Sequence, residues 1–367
     1  MRTPGKSASL SVVTLSWPIF IEIFLQMLVG NIDQFMMSHY SQPAVAAVAN
    51  ANQIMNIFIM LITVMSTAST ILIAQYLGAK RPEKINEVCT VSVAFNFVFS
   101  LTAATCIWIF HRTFFTWLGV PADIMDDTSL YMTIVAFSIP ITGVYTAFVA
   151  TFRGYKLPII TMCVAAVMNV VHILSNAILI FGWGPIPSLG VFGVSLSTSL
   201  SKGIGLLIIF VLFKTQLPVK LSWQYLRPFP WQTLKGLLHI SVPSGGETLS
   251  YQLSQTTIMK MVNVFGLVVI NTKVYAYIVA MFCYMYTIAL ANAAQIIVGF
   301  LVGADREEEI SRRVWRTMWF GMAISIALAT TFYIFSDHIF SIFTDDPEVL
   351  KLGHTILLIE IFRQAVI

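Results

Sequence analysis

Long, nearly uninterrupted runs of apolar residues alternate along this chain with short polar segments. Each run is roughly as long as an α-helix must be to cross the hydrocarbon core of a bilayer, about 20 residues. The runs are too long and too uniformly apolar for the alternating pattern of a membrane β-barrel. The pattern predicts ten membrane-spanning helices, over residues 12–38, 46–77, 88–110, 128–151, 158–181, 190–213, 238–264, 270–302, 314–335 and 349–367.

The two parts of the chain match each other when one is shifted by 225 residues. Pro18 then meets Pro243 and Glu22 meets Glu247, and the loop Gly78-Ala79-x-Arg81-x-Glu83-x-Ile85 meets Gly303-Ala304-x-Arg306-x-Glu308-x-Ile310. A full repeat holds six helices, so both copies begin on the same side of the membrane and are parallel, as in some secondary transporters. We therefore predict an all-α polytopic membrane protein built from two parallel six-helix bundles.

The second copy is shorter than the first, because Ile367 is the counterpart of Ile141. By this arithmetic we expect a twelve-helix plan in which the chain is truncated within the tenth helix. The predicted division is an N-terminal six-helix bundle over 1–214, a cytoplasmic linker over 215–237, and an incomplete C-terminal bundle with four of its six helices over 238–367.

Composition agrees with a membrane protein and excludes a water-soluble globular fold. Of the 367 residues 57% are hydrophobic and only 10% are charged, whereas soluble proteins carry about a quarter of their residues as charges. The net charge of +4 does not indicate a nucleic-acid partner, because the Lys and Arg residues are scattered among alternate loops. Positive residues concentrate in cytoplasmic loops, which predicts a multi-pass protein of the cell membrane with a cytoplasmic N-terminus.

The four cysteines all lie inside apolar runs, at Cys89, Cys106, Cys163 and Cys283. Free cysteine behaves as a small hydrophobic residue. We interpret all four as core residues rather than as disulfide partners or metal ligands.

Three predicted helices carry polar residues at helical spacing within their apolar runs. These are Glu22, Gln26 and Asp33 on the first helix, Asn169, His172 and Asn176 on the fifth, and Glu247, Tyr251 and Gln255 on the seventh. A charged group at the bilayer centre costs at least roughly 2.5 kcal/mol, so such residues face a protein interior or a cavity. Pro18 and Gly30 bracket the first stripe and could permit bending.

Asp33 and Glu22 are the candidates to bind and release a coupling proton or cation, because a buried carboxylate can exchange one for the other. Glu247 is a further candidate through its repeat relation to Glu22. Protonated or hydrogen-bonded packing groups are the alternative interpretation of all three. Lys202 and Lys260 also lie within predicted helices, where each either reaches towards the membrane surface or pairs with a carboxylate.

In sequence order, several motifs resemble those of the MATE (multidrug and toxic compound extrusion) antiporters, and the resemblance covers essentially the whole chain. The motifs are Trp17-Pro18, Gly30-Asn31-Ile32-Asp33, Gln75-x-x-Gly78-Ala79, Arg153-Gly154, Asn176-Ala177-Ile178-Leu179-Ile180-Phe181-Gly182 and Gly190-Val191-x-Gly193-Val194-x-Leu196-Ser197-Thr198. Members of that family consist of two six-helix bundles. The resemblance implies that Asp33 takes part in cation coupling within the N-terminal bundle.

The same resemblance assigns partners to Asp33. Asn176 stands where a fifth-helix acid often assists, His172 where an Asn is common one turn earlier, and Thr198 matches a sixth-helix Thr. The missing second carboxylate weakens a sodium site and the histidine could favour protons, so the ion is left open between H⁺ and Na⁺, with Na⁺ placed at Asp33 and Asn176. The family's seventh-helix Glu falls at Tyr251 in some branches.

The predicted function is a secondary active multidrug efflux antiporter, which exports amphipathic or cationic organic compounds in exchange for H⁺ or Na⁺. We expect a monomer in the lipid bilayer that has no catalytic residue and no cofactor beyond the coupling ion. The expected substrate-binding residues are Gln26, Asn169, Glu247, Tyr251 and Gln255. The alternatives are a flippase for lipid-linked oligosaccharides, which should need several cavity-facing Arg or Lys residues, and, less favoured, an intramembrane enzyme.

Overall fold

Helices account for nearly all of the computed structural model, which describes residues 11–262, 267–336, 338, 341 and 351–358. The helices are α1 Val12–Tyr40, α2 Gln42–Gly78, α3 Pro82–Leu118, α4 Met125–Ala136, α5 Ser138–Gly154, α6 Pro158–Phe181, α7 Gly190–Gln216, α8 Trp231–Val262, α9 Leu267–Gly303 and α10 Glu307–Ile334. A short 3₁₀ helix, Trp223–Leu226, lies between α7 and α8. Residues 351–358 are helical as well.

Seven of the described helices are long and apolar enough to cross a membrane, and an eighth span is added if α4 and α5 form one. They correspond to predicted spans one to six, eight and nine. The seventh predicted span is α8, which has the required length but a more polar sequence. The tenth predicted span, 349–367, lies outside the described residues except for 351–358.

The fourth predicted span, 128–151, is not a single straight helix. It consists of α4 and α5, which meet at an angle of 44° around Phe137. Pro140 lies in the first turn of α5. A proline has no N–H to donate to the carbonyl four residues earlier and its ring crowds that carbonyl; here this is the carbonyl of Ala136, where α4 ends.

The helices α1 to α7 pack into one bundle. In it α1 packs against α6, α6 against α7, α3 against α5, and α2 against α3, α4 and α5. One apolar core, which includes Met37, Ile180 and Val194, fills the end at which α1 ends. A second core, which includes Ile73 and Phe213, fills the end at which α2 ends.

The two halves of the chain contact each other mainly through α1, α2, α8 and α9. The ends of α2 and α9 make a close reciprocal contact. A Cβ on Gly78 would overlap the Phe300 carbonyl, and a Cβ on Gly303 would overlap the Gln75 carbonyl. Gln75 and Phe300 are themselves repeat equivalents, so each half presents the same patch to the other, as expected around a two-fold axis.

The turns that follow these two helices have the same geometry. Lys80 and Asp305, which are repeat equivalents, both adopt left-handed backbone conformations with φ values of 54° and 53°. The amide of Arg81 donates to the Tyr76 carbonyl, and that of Arg306 to the Leu301 carbonyl, each at 3.0 Å. The shared turn and the reciprocal contact confirm the predicted repeat in three dimensions.

The connection between the halves is fastened to α3. The Asn86 side chain accepts a hydrogen bond from the Lys220 amide at 3.0 Å and donates to the Tyr225 hydroxyl at 3.3 Å. The Thr233 hydroxyl donates to Glu87. Because α8 begins at Trp231, the last seven residues of the predicted linker 215–237 are already helical.

The cysteine prediction is partly wrong. Cys89 is buried and Cys106 is partly buried, but Cys163 is exposed on α6 and so is not a core residue. A thiol is apolar enough to lie against lipid, which is why an apolar run does not distinguish the two positions. The side chain of Cys283 lies outside the described residues.

Candidate functional site

Asp33 lies on α1 at a cluster of polar side chains inside the N-terminal bundle. Asn176 Nδ2 donates to Asp33 Oδ1 at 2.5 Å, and His172 Nε2 lies 3.5 Å from the same oxygen. His172 Nε2 is also 3.3 Å from Thr198 Oγ1 on α7. The structure therefore brings together Asp33, Asn176, His172 and Thr198, which the sequence analysis grouped by resemblance.

Helical spacing positions this cluster. His172 and Asn176 are four residues apart and so share one face of α6, and α6 packs against both α1 and α7. Asp33, Asn176 and Thr198 each lie one turn from a residue of the first apolar core, namely Met37, Ile180 and Val194.

The cluster is shielded from solvent by protein. Asp33 is 5% exposed, His172 3% and Asn176 0%. Burial of an ionised carboxylate is costly unless it is hydrogen-bonded or paired. Among the described residues, Asn176 Oδ1 and His172 Nδ1 find no hydrogen-bond partner. The cluster therefore retains free acceptor capacity beside the carboxylate.

Tyr131 is a member of this site that the sequence analysis missed. It is buried on α4, and its hydroxyl donates to Asn52 Oδ1 on α2 at 3.2 Å. It also lies within hydrogen-bonding reach of Thr198. The one available signal was a tyrosine inside an apolar run, since a buried hydroxyl usually requires a partner.

Lys202 lies one turn after Thr198 on α7 and remains inside the bundle. Its Nζ is 3.5 Å from Ser138 Oγ, at the start of α5. Its contact is thus with a serine hydroxyl inside the bundle, and within the described residues it forms no direct ion pair with a carboxylate. The side chain of Lys260 lies outside the described residues.

Glu22 belongs to a different cluster. Its Oε2 accepts from the Thr161 hydroxyl at 2.7 Å and pairs with Arg153 Nη2 at 2.8 Å. Glu22 is 1% exposed, whereas Gln26, between it and Asp33 on the same helix, is exposed. Neighbouring helices therefore cover the two carboxylates of the stripe and leave Gln26 uncovered.

The expected substrate-binding residues are not gathered at Asp33. Asn169 is partly buried on α6, one turn before His172. Glu247 and Tyr251 are exposed on α8 and Gln255 is partly buried there, while α8 packs mainly against α2. These residues of α8 present a polar face of their own, separate from the cluster in the N-terminal bundle.

The described residues contain no group of three or more His, Cys, Asp or Glu side chains that could hold a metal ion. The oxygen atoms available to a monovalent cation at Asp33 come from its carboxylate, Asn176 Oδ1 and Thr198 Oγ1. What this arrangement can do is change charge at one buried carboxylate, by protonation or by cation binding.

Comparison with known proteins agrees with the fold and the repeat. The MatE family model matches residues 18–178 and again residues 243–367, so the two matches begin at the repeat-related prolines. The chain is 31% identical over 354 residues to the uncharacterized transporter YisQ of Bacillus subtilis, covering 96% of this chain and 78% of that protein. It is 27% identical to the probable multidrug resistance protein YoeA of the same organism, covering 87% and 70%.

More distant relatives and solved structures extend the same likeness. The probable multidrug resistance protein NorM of Thermotoga maritima is 23% identical, over 93% of this chain and 74% of that protein. A crystal structure of MATE in the bent conformation superposes with a TM-score of 0.88 at 19% identity, covering 96% of this chain and 79% of that chain. The chain therefore belongs to the MatE family of membrane transporters, the multidrug and toxic compound extrusion proteins.

Proposed function

We propose that this protein is a secondary active multidrug efflux antiporter, which exports amphipathic, mostly cationic organic compounds in exchange for inward-moving H⁺ or Na⁺. The observation that carries the proposal is the buried Asp33 carboxylate, held by Asn176 Nδ2 at 2.5 Å with His172 Nε2 3.5 Å away. The relatives described as probable multidrug resistance proteins support the substrate class.

The proposed coupling step is a change of charge at Asp33. An occupied site, whether protonated or holding a cation, has lost its net negative charge and can be buried at a lower cost than the free carboxylate. Occupancy therefore favours one packing of α1, α6 and α7 over another, which is how a ligand shifts a conformational equilibrium.

We also propose that the protein lies in the cell membrane with its N-terminus in the cytoplasm. Lys80, Arg81, Lys156 and Arg306 lie in turns at the end of the molecule where α2 and α9 meet. Positively charged turns are typical of the cytoplasmic side. Asp33 then lies towards the opposite, extracellular end.

The flippase alternative receives no support from the basic residues of the bundle. A pyrophosphate-bearing lipid should be bound by several uncompensated Arg or Lys side chains. Arg153 is paired with Glu22 at 2.8 Å, so that its charge is already compensated inside the bundle, and Lys202 contacts the Ser138 hydroxyl at 3.5 Å. The described N-terminal bundle therefore offers one uncompensated basic side chain at this site and not a cluster of several.

The test is transport of a fluorescent organic cation by the protein in proteoliposomes, with a proton gradient and a sodium gradient imposed separately. We expect at least one gradient to drive dye movement, and we expect Asp33→Asn to abolish the gradient-dependent part, because an amide neither takes up a proton nor binds a cation electrostatically. Asp123→Asn is the matched control, since it makes the same chemical change at an exposed position.

Unchanged gradient-driven transport in folded Asp33→Asn protein would disprove the site assignment. If neither gradient moves any organic cation in the unsubstituted protein, the antiporter proposal itself is rejected.

A further inference from the structure

Lys202 is positioned inside the N-terminal bundle by a specific polar contact. The buried Ser138 hydroxyl donates to the Val135 carbonyl at 2.7 Å, which leaves its oxygen as the acceptor for Lys202 Nζ at 3.5 Å. An ammonium group can only donate hydrogen bonds. The break between α4 and α5, where Ser138 lies, thus provides a fixed place for a positive charge.

That charge lies one turn of α7 from Thr198, whose Oγ1 is 3.3 Å from His172 Nε2, and the same nitrogen is 3.5 Å from Asp33 Oδ1. The helices that pack against α7 contribute Asp33 from α1, Tyr131 from α4 and His172 from α6. Two neutral side chains come from the remaining helices: Asn52 of α2 accepts from the Tyr131 hydroxyl, and Ser138 of α5 contacts Lys202. Among these groups Asp33 supplies the carboxylate, and Lys202 adds a positive charge to the same part of the bundle.

Such a site is poorly suited to sodium. Hard cations are bound by several oxygen ligands with negative charge among them, and here the neutral oxygens of Asn176 and Thr198 accompany a single carboxylate, with an ammonium one turn further along α7. A sodium ion would be repelled by Lys202, and repulsion between like charges is strong where protein excludes water. A proton needs no coordination shell, since it forms one O–H bond with a carboxylate oxygen of Asp33 and turns a charge of −1 into zero.

We infer that Lys202 determines the coupling ion: its tethered ammonium takes the electrostatic place of an inorganic cation at Asp33, so that the site exchanges protons and excludes sodium. The inference rests on the proposed function, because it names the ion that moves through the same site.

The first experiment measures sodium binding without any transport. Thermal unfolding of the purified protein is followed in NaCl and in choline chloride at equal concentration, because a ligand that binds only the folded state raises the melting temperature. The unsubstituted protein and the charge-preserving control Lys202→Arg should melt at the same temperature in both salts. Lys202→Met should melt at a higher temperature in NaCl, and the added substitution Asp33→Asn should remove that difference.

A second experiment uses dye transport in proteoliposomes. The unsubstituted protein should respond to the proton gradient and not to the sodium gradient, whereas Lys202→Met should gain sodium-driven transport. If no protein transports dye under either gradient, the proposed function fails, but the melting experiment still decides the role of Lys202.

Two results would overturn the inference. One is a sodium-specific rise in the melting temperature of the unsubstituted protein, an outcome that can be observed without any variant. The other is folded Lys202→Met that melts identically in both salts. Lys202→Gln, which keeps a polar group beside Ser138, is judged by the same criterion if the Met variant yields no folded protein.

Discussion

At the scale of single residues, the two buried carboxylates of α1 have different partners at two depths in the N-terminal bundle. Asp33, near the end of α1, accepts from Asn176 and lies 3.5 Å from His172, whereas Glu22, near its beginning, is paired with Arg153. A buried charge is tolerated when a partner of opposite sign accompanies it. The sequence marked Glu22 and Asp33 as ionisable residues in apolar surroundings, and the structure shows that Glu22 is paired directly with a guanidinium whereas Asp33 is held by an amide.

The Glu22 pair has a mechanical consequence. Arg153 comes from the last turn of α5 and Thr161 from the first turn of α6, so both helices are fastened to α1 through one carboxylate. This arrangement differs from that of Asp33, whose hydrogen-bond partner is a neutral amide. We therefore assign Glu22 mainly to holding α1 in place.

We predict that Arg153→Met lowers the free energy of unfolding by about 3 kcal/mol, because it leaves the Glu22 carboxylate buried without its counter-charge. The double variant Glu22→Gln with Arg153→Met should be clearly more stable than Arg153→Met alone. Thermal unfolding of the single and double variants measures the coupling between the two residues. Strictly additive effects would show that the pair contributes no interaction energy.

At the scale of elements, the end of α2 and the end of α9 cross with no room for side chains at Gly78 and Gly303. The motif that made the repeat visible in sequence is thus the motif that joins the halves. Backbones approach this closely only where small residues permit it, as in other membrane helix pairs.

We predict that Gly78→Ala destabilises the protein, because its Cβ would overlap the Phe300 carbonyl and push α9 away. The matched control is Gly203→Ala in α7, where a Cβ would meet no atom within 4 Å. There the substitution should raise stability by up to about 1 kcal/mol through helix propensity alone. Opposite shifts of the melting temperature are expected, and equal shifts would contradict the close crossing.

The bend between α4 and α5 is a feature that the apolar pattern did not predict. The apolar run 128–151 predicts one crossing, and Pro140 within it permits a bend without fixing whether one occurs. The helices meet at 44°, and Ser138, which lies at this break, contacts Lys202.

At the scale of the whole molecule, the apolar contact between the halves lies at one end. It includes Leu15, Ile19 and Ala74 from the first half and Ala293 and Ile297 from the second. Lys156, in the turn between α5 and α6, lies over the Phe300 ring of the other half, 3.1 Å from its centroid. Burial, and secondarily the charge of Arg306, lowers the pKa of Lys156 from 10.5 to about 8.

This lowered pKa predicts a pH dependence of stability. Below pH 8 Lys156 is protonated in both folded and unfolded protein, and the cost of burying its charge is present in full. Between about pH 8 and pH 10.5 the unfolded chain binds more protons than the folded one, so that stability gains with rising pH. Relative to Lys156→Met, the unsubstituted protein should therefore become more stable from pH 8 to pH 10.

Melting temperatures measured across this range test the prediction. Lys235→Met, which removes a lysine from an exposed position on α8, is the control for loss of a positive charge. A constant difference between the unsubstituted protein and Lys156→Met over the whole range would contradict the burial of this lysine between the halves.

The apolar pattern alone determined the helical class, the approximate spans and the parallel repeat, because the length and periodicity of a run are local properties of the chain. It also marked Asp33, His172 and Asn176 as candidate functional residues, because a polar side chain inside an apolar run is costly to bury unless it has a partner. Only the tertiary structure decided the partners, which are Arg153 for Glu22, Ser138 for Lys202 and Asn52 for Tyr131, and only it decided that Gln26 and Glu247 are exposed. Pairing depends on the depth and rotation of each helix against its neighbours. Close packing at positions such as Gly78 and Gly303 sets that depth and rotation. The spacing of residues along any one helix does not determine them.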